Sequence, residues 1–135
     1  MARNFSAIVL AAGRGPDDPM AKAFGVSHKC ILPVGGVPML RRVVETLHAS
    51  KSVHAISICI ESPAIAAVAL SETIAGITIV KSQKSAPLSA IAAIMQLSTY
   101  PFLITTADHA LLTPEMVEYF CNEATDTGTD VPAGL

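Results

Sequence analysis

The hydrophobic residues of this chain fall into short, continuously apolar runs, separated by longer stretches in which apolar positions recur every three or four residues. The short runs have the length of buried β-strands and their content of valine and isoleucine. Four of them predict strands at residues 6–12, 54–60, 77–80 and 101–106. A last apolar stretch, at 130–135, predicts the beginning of a fifth strand.

The stretches with helical spacing follow prolines, which fit the first turn of a helix because the N–H groups there have no partner within the helix. Thr113, just ahead of Pro114, is in addition a good helix cap. The predicted helices run from Pro38 through Leu47, from Pro63 to about Glu72, from Pro87 through Leu97 and from Pro114 to near Gly128. Strands that alternate with helices indicate an α/β fold, a Rossmann-like three-layer α/β/α arrangement with a mainly parallel sheet.

Residues 13–35 separate the first strand from the first helix, and the sequence predicts one long loop there. A loop of this length inside a compact domain is usually functional. It begins with Gly13-Arg14-Gly15, and it carries Lys22 and Lys29. Glycines let the backbone approach an anion closely, and successive free N–H groups form a concave donor site. The segment therefore suits the binding of phosphate.

Two common phosphate-binding motifs do not occur in this loop. The dinucleotide fingerprint needs a third glycine three residues after Gly15, and the chain has Asp18 at that position. The P-loop ends in Gly-Lys followed by serine or threonine, and the sequence contains no such triplet. A phosphate site in this loop must therefore be of another kind.

Length and composition restrict the classes of protein. The 135 residues suit a single domain, 1–135, with enough chain for a core. Hydrophobic residues make up 51% and charged residues 15%, which suits strands buried on both faces and leans weakly towards a homo-oligomer. The net charge of −2 gives no basic footprint for nucleic acid, and no stretch predicts a membrane span. Three cysteines without metal-type spacing favour a reducing, cytoplasmic location.

Two separated blocks resemble the signature of a known family. The first reads LAAGRG at residues 10–15, and a lysine then precedes LPVGGVPML at residues 32–40. In this order they resemble the N-terminal signature of the MobA-like nucleotidyltransferases. That family includes molybdenum-cofactor guanylyltransferases and sugar-phosphate or alditol-phosphate cytidylyltransferases. Residues 103–108, LITTAD, with LLTPE at 111–115, resemble its second block.

The resemblance implies both a fold and an activity. The fold would be that of the nucleotide-diphospho-sugar transferases. The activity would be Mg²⁺-dependent transfer of a nucleoside monophosphate from an NTP, with GTP or CTP as donor, to a small phosphorylated acceptor, with release of pyrophosphate. Members of the family are longer, so the resemblance also implies that the C-terminal part of the domain, with the acceptor site, is missing from these residues.

The resemblance assigns roles to residues that follow the first and fourth strands. Asp108 matches the metal-binding aspartate, although an aspartate at that position can also simply cap a turn. Lys29 matches the lysine that contacts phosphate, and Lys22 is a rival in the same loop. Arg14 is expected to pair with the β- and γ-phosphates through its guanidinium fork. Arg14 and Lys29 are thus the expected catalytic residues.

Nucleotide binding is expected at two further segments. The resemblance implies that the nucleotide is bound by the glycine loop, through Leu10, Ala11, Ala12, Gly13 and Gly15, with backbone groups of residues 10–13 reading the base. Ser85 and Ser89 flank the start of the third predicted helix and are candidates for contacts with base or ribose. For Ser85, capping of that helix is favoured over a ligand contact.

Two other functions stay open on the sequence. The chain could be a non-catalytic nucleotide-binding or interaction module that keeps the fold without the acceptor half. It could also be a sugar-nucleotide glycosyltransferase, which shares the nucleotide half and would bind an NDP-sugar in preference to an NTP. No Ser-His or Cys-His pair suggests a covalent intermediate, so the expected reaction is a direct attack on the α-phosphate.

Overall fold

The computed structural model describes residues 5–13, 17–70, 77–96, 101–109 and 111–126. Its strands are β1 Phe5–Leu10, β2 Pro33–Val34, β3 Val37–Pro38, β4 Val53–Ile60, β5 Ile77–Lys81 and β6 Phe102–Thr106. Its α-helices are α1 Pro19–Phe24, α2 Met39–Ala49, α3 Pro63–Leu70, α4 Ala86–Gln96 and α5 Pro114–Asp126, and a 3-10 turn covers Lys29–Ile31. The strand predicted at 130–135 lies outside the described residues.

Four strands form a parallel sheet in the order β5-β4-β1-β6. The first strand of the chain is therefore central, with β4 on one side and β6 on the other. Leu10, at the end of β1, pairs with Cys59 of β4 and with Thr106 of β6, so the three strands end at the same level. This confirms the predicted parallel sheet, and it brings the segments that follow these strands together at one edge.

Helices cover both faces of the sheet, which confirms the predicted three-layer α/β/α arrangement. On one face, α2, α3 and α5 pack against apolar side chains of the strands in one core, which includes Val9, Ile58, Leu103, Leu40 and Val117. Full burial of side chains of this size contributes about 1.5–3 kcal/mol each. On the other face, α4 covers a smaller core made of Ile8, Cys59, Val80 and Ala93.

The prediction of one long loop at 13–35 was wrong, because this segment contains the short helix α1. Asp18 caps α1, since its Oδ1 accepts hydrogen bonds from the N–H groups of Met20 (2.9 Å) and Ala21 (3.2 Å). Pro19 opens the helix and Gly25, with φ of 68°, ends it in the left-handed conformation. This part of the segment is thus a compact element, and Asp18 at its capped end lines a cleft described below.

A two-stranded hairpin connects the 3-10 turn to α2. β2 and β3 pair in antiparallel fashion around Gly35 and Gly36, whose φ values of 60° and 82° suit a tight two-residue hairpin turn. Arg42 of α2 donates a hydrogen bond from Nε to the carbonyl oxygen of Val34 at 2.6 Å. The helix therefore holds the hairpin, and with it the end of the segment that carries Lys29.

The three cysteines, Cys30, Cys59 and Cys121, are all buried as thiols. Burial, and after it the negative charge of Glu61, raises the pKa of Cys30 to about 11. None of the helices in the described part of the chain has the length and the apolar character needed to cross a membrane.

Candidate functional site

Two adjoining clefts open at the carboxyl ends of β1, β4 and β6, with volumes of about 390 and 360 Å³. Both clefts are lined by Leu10, Ala12 and Gly13. The segment Leu10 to Gly13, which we call the glycine segment, therefore lies between them. In open parallel sheets the carboxyl edge is where ligands bind, because the connecting segments can vary there without disturbing the sheet. We refer to the larger cleft as the first cleft and to the other as the second cleft.

The first cleft contains an ion pair between Lys29 and Asp108, which are 79 positions apart in the sequence. Lys29 Nζ donates to Asp108 Oδ2 at 2.9 Å. Thr106, the last residue of β6, donates its hydroxyl hydrogen to Asp108 Oδ1 at 2.6 Å. The hydrogen bonds from Thr106 and then from Lys29 lower the pKa of Asp108. The carboxylate therefore keeps its charge at pH values where a free aspartate begins to bind a proton.

Asp108 has the chemistry that Mg²⁺ requires of a ligand. Its side chain is 47% exposed and presents hard carboxylate oxygens to the first cleft. Mg²⁺ is usually held by one or two carboxylates together with substrate phosphates, and it does not need a cage made by the protein alone. Over the described part of the chain, no group of three or more histidines, cysteines or acidic residues forms such a cage. The donor set thus fits a cation that is shared with a phosphate ligand.

The structure brings Lys29, and not Lys22, to Asp108. Lys22 lies exposed in the last turn of α1 and lines neither cleft. Arg14 and Gly15, the other predicted members of the glycine loop, lie outside the described residues. The first cleft therefore joins Gly13, Lys29 and Asp108, and the predicted contact of Arg14 with phosphate stays a prediction.

Backbone groups at the end of β1 are partly used within the protein. The carbonyl oxygen of Leu10 accepts from the N–H of Ala107 at 3.0 Å, and the N–H of Ala11 donates to the carbonyl oxygen of Cys59 at 2.8 Å. The N–H of Gly13 donates to Oε2 of Glu61 at 3.0 Å. These bonds align the glycine segment with both neighbouring strands, and they leave fewer backbone groups for a base than the sequence suggested.

Glu61 is a residue of the site that the sequence analysis did not identify. It follows β4 directly, and its carboxylate lines the second cleft. Its Oε1 lies 3.5 Å from Nε2 of His28, is shielded from solvent, and has no hydrogen-bond partner among the residues that the structure describes. In the sequence, Glu61 is marked only as a carboxylate at the end of an apolar run. The pairing of β4 with β1 is what brings it to Gly13.

The two serines predicted near the nucleotide line the second cleft, but each has a structural partner. Ser85 Oγ accepts from the N–H of Leu88 at 3.3 Å, which is the helix cap that the sequence favoured for it. Ser89 is 2% exposed, and its Oγ accepts from the N–H of Gln83 at 2.7 Å. Ser89 therefore holds the segment before α4 in place, and Ser85 presents its hydroxyl at the edge of the cleft.

A central β1 that ends in a glycine segment, opposite a lysine and a carboxylate, defines an α/β protein with a cleft at the carboxyl edge of its sheet. The chain belongs to the family described as the MobA-like NTP transferase domain, whose model matches residues 7–133. No curated protein matches the chain in sequence.

Several solved structures have the same fold. A nucleotidyl transferase from Methanothermobacter thermautotrophicus is 20% identical over 90% of this chain and 58% of its own, with a TM-score of 0.72. A 4-diphosphocytidyl-2C-methyl-D-erythritol synthase from Anaerococcus prevotii is 21% identical over 90% of this chain and 50% of its own, also at 0.72. A CMP:2-keto-3-deoxy-manno-octonic acid synthetase complexed with CTP is 12% identical over 96% and 49%, at 0.70.

These similarities establish the fold of the nucleotide-diphospho-sugar transferases, as the sequence predicted. The chain spans between about half and three fifths of the length of these solved chains.

Proposed function

We propose that this chain binds a Mg²⁺–NTP complex and serves in nucleotidyl transfer from that NTP, GTP or CTP, to a small phosphorylated acceptor. The observation that carries the proposal is the Lys29–Asp108 pair, 2.9 Å apart, in a cleft walled by the glycine segment. Membership of the NTP transferase family supports it. So do the names of two of the solved structures, one a diphosphocytidyl synthase and the other a synthetase complexed with CTP.

The groups that line the two clefts support one orientation of the nucleotide in this proposal. The first cleft offers the Lys29 ammonium group and suits the triphosphate. The second cleft carries the Glu61 carboxylate and the Lys84 ammonium group, whose charges are opposite, and polar groups of Gln83 and Ser85 that suit a nucleoside. The nucleotide would thus cross the segment Leu10 to Gly13, with its phosphates beside Lys29 and its base and ribose beside Glu61.

The protein groups in the first cleft fit the needs of nucleotidyl transfer. An acceptor phosphate oxygen forms a bond to the α-phosphorus, and the bond from that phosphorus to the bridging oxygen of the β-phosphate breaks, so pyrophosphate leaves with the bonding electrons. Lys29 would donate to oxygens of the leaving pyrophosphate and offset its charge, and Arg14 is proposed to do the same. Mg²⁺, when bound, supplies further neutralisation of the phosphate oxygens, and Asp108 would hold it.

Without a nucleotide, the Lys29 ammonium group is paired with the Asp108 carboxylate. Both oxygens of Asp108 already accept hydrogen bonds, from Thr106 and from Lys29. Asp108 would hold Mg²⁺, and the Lys29 ammonium group, which has three donors, can turn from Oδ2 to a phosphate oxygen. Lys29 is then free to bind phosphate, while Thr106 keeps the carboxylate oriented. The ion pair thus compensates the charges of both side chains.

A thermal-shift experiment tests the nucleotide site. The chain, its Asp108→Asn variant and the matched control Asp17→Asn would be heated with each of ATP, GTP, CTP and UTP, with and without Mg²⁺. Asp17 is exposed and lines neither cleft. A ligand at a hundred times its Kd stabilises the native state by about 2.7 kcal/mol. We expect a Mg²⁺-dependent rise in Tm that Asp17→Asn retains and Asp108→Asn loses.

Release of pyrophosphate in the presence of a phosphorylated acceptor separates catalysis from binding. Mg²⁺-dependent binding without pyrophosphate release would favour the non-catalytic nucleotide-binding module. Preferential binding of an NDP-sugar over every NTP would favour the glycosyltransferase alternative. Absence of a Tm rise with any nucleotide, in a chain that melts cooperatively, would contradict the proposal.

A further inference from the structure

His28 and Lys29, two consecutive residues at the start of the 3-10 turn, contact the segments on opposite sides of β1. Nε2 of His28 lies 3.5 Å from Oε1 of Glu61, which directly follows β4. Nζ of Lys29 lies 2.9 Å from Oδ2 of Asp108, two residues beyond the end of β6. Because β4 and β6 flank β1 in the sheet, these two residues connect both neighbours of the central strand.

Glu61 joins this connection to the glycine segment. Its Oε2 accepts a hydrogen bond from the N–H of Gly13 at 3.0 Å. Its Oε1 is shielded from solvent and has no hydrogen-bond partner within the described ranges, and the imidazole of His28 is the group that can compensate its charge. A shielded carboxylate oxygen without compensation is costly, so conformations that keep His28 beside Glu61 are favoured.

The imidazole of His28 can present an N–H group to Glu61 in both of its protonation states. Its Nδ1 lies 3.1 Å from Oγ of Ser27. When that hydroxyl donates to Nδ1, a neutral ring carries its hydrogen on Nε2, and a protonated ring carries hydrogens on both nitrogens. His28 therefore offers a donor to Oε1 in either state, and protonation adds an attraction between opposite charges.

Glu61 lies close to both neighbours of Lys29 in the chain. His28 contacts it, and burial, followed by the negative charge of Glu61, raises the pKa of the Cys30 thiol to about 11. These contacts do not involve Asp108. When the ammonium group of Lys29 turns from Asp108 to a phosphate oxygen, the contacts with Glu61 can therefore remain and keep the backbone at Lys29 in place.

We propose that His28 is a positioning residue that acts through Lys29. Its contact with Glu61 fixes the segment that carries Lys29 relative to the glycine segment, so the ammonium group meets the phosphates of a nucleotide with little loss of conformational freedom. The inference rests on the proposed function and deepens it, because it names what places Lys29. His28 also lines the first cleft, so the experiment must separate this role from a direct contact with phosphate.

A double-mutant cycle with His28→Leu and Lys29→Ala tests the inference. Titration calorimetry with Mg²⁺ gives the Kd of GTP and of CTP for the unaltered chain, and the tighter of the two is the probe for the variants. We expect His28→Leu to raise this Kd about fivefold, which corresponds to about 1 kcal/mol, because the side chain of Lys29 must then be ordered on binding. In the Lys29→Ala background the same change should alter the Kd by less than a factor of about two.

Two further variants and a second ligand make the result specific. His28→Gln keeps a side-chain N–H that can reach Glu61, and it should return the Kd to within a factor of about two of the unaltered value. His54→Leu is the matched control, because His54 is exposed on β4 and lines neither cleft. Inorganic triphosphate with Mg²⁺ should lose the same factor as the nucleotide in His28→Leu, since the effect passes through the phosphates.

The outcomes separate this inference from the function on which it rests. If nucleotides bind and His28→Leu raises the Kd by the same factor with and without Lys29, His28 acts independently of Lys29, and the inference is overturned while the proposed function stands. An unchanged Kd in His28→Leu, or no recovery in His28→Gln, overturns it as well. If no nucleotide binds the unaltered chain, both fail.

Glu61→Gln takes the place of His28→Leu in the cycle if that variant does not fold. It keeps an oxygen for the N–H of Gly13 and removes the negative charge that faces His28. We expect it to raise the Kd only where Lys29 is present, and an equal rise in both backgrounds would contradict the inference.

Discussion

At the scale of single residues, the first cleft depends on two charges that the fold brings together from distant parts of the chain. Lys29 and Asp108 are 35% and 47% exposed, so their ion pair contributes little to the stability of the fold, about 0–1 kcal/mol for a pair at the surface. Thr106 and Lys29 together hold the pKa of Asp108 low. These side chains thus contribute little to the stability of the fold.

Separate replacements of Lys29 and Lys22 test which of the two lysines binds the phosphates of the nucleotide. We expect Lys29→Ala to weaken the binding of Mg²⁺–NTP about tenfold or more, because a hydrogen bond to a charged group contributes about 1.5–3 kcal/mol. The Tm without nucleotide should change little. Lys22→Ala is the control, since Lys22 lines neither cleft, and its Kd should stay within a factor of about two of the unaltered value. Titration calorimetry measures both, and equal losses would contradict the assignment.

The residues of the two clefts could be predicted to different degrees. Asp108 and Lys29 were identified because each follows a recognisable block in the right order. Glu61 was missed, since a single carboxylate after a strand is no motif and only the pairing of β4 with β1 brings it to Gly13. The resemblance implies that the backbone of Leu10 and Ala11 reads the base. The sequence cannot show that these groups bond to the neighbouring strands.

At the scale of elements, the hairpin between the 3-10 turn and α2 requires glycine at positions 35 and 36, and more strictly at position 35. A side chain at Gly35 would meet Arg42 Nη2 at 2.6 Å, whereas one at Gly36 would meet nothing within 4 Å. Both positions have positive φ, which costs other residues roughly 1–2 kcal/mol. Gly35 therefore carries an additional requirement, because Arg42 holds the hairpin through Val34.

Alanine substitutions at Gly35 and Gly36 separate the cost of backbone strain from the cost of moving Arg42. We expect Gly36→Ala to lower the free energy of unfolding by roughly 1–2 kcal/mol from backbone strain alone. Gly35→Ala should lower it by roughly 1 kcal/mol more, because Arg42 must move and its hydrogen bond to Val34 weakens. Urea denaturation at pH 7 measures both. A smaller loss for Gly35→Ala than for Gly36→Ala would show that Arg42 does not restrain the turn.

Long elements were predictable and short ones were not, for a physical reason. The four strands of the sheet stand out as apolar runs, and helices α2 to α5 have enough residues for a helical period to show. Helix α1 has six residues, fewer than two turns, so its apolar spacing carries no information. Its signals were local: Asp18 and Pro19 at the start and Gly25 at the end. The hairpin was equally local, marked by Gly35 and Gly36 between two valines.

At the scale of the whole molecule, the strand order creates the site. The order β5-β4-β1-β6 places β1 between the strands that end near Glu61 and near Asp108. Hydrophobic pattern alone predicts a parallel sheet but leaves the order of its strands open, since each strand is apolar on both faces. The structure supplies this order, and the two clefts on either side of the glycine segment follow from it.

Because its thiols are buried, the free energy of unfolding of this protein should fall at alkaline pH. Burial raises the pKa of Cys30 and of Cys121 to about 11, and it also raises that of Cys59. Above pH 9 the unfolded chain loses these protons while the folded chain keeps them, so the unfolded state binds fewer protons and the free energy of unfolding falls as pH rises. The loss begins near the ordinary thiol pKa and continues towards pH 11.

We expect the free energy of unfolding to fall by about 1 kcal/mol per strongly shifted thiol between pH 8 and pH 10, because one pKa unit corresponds to about 1.4 kcal/mol. Urea denaturation at several pH values measures the slope. Cys121→Ala loses stability at every pH because it leaves a cavity, but its slope between pH 8 and pH 10 should be shallower by the share of one thiol. Equal slopes in the two proteins would mean that Cys121 does not titrate differently in the folded and unfolded chains, and that lysines and tyrosines account for the alkaline loss.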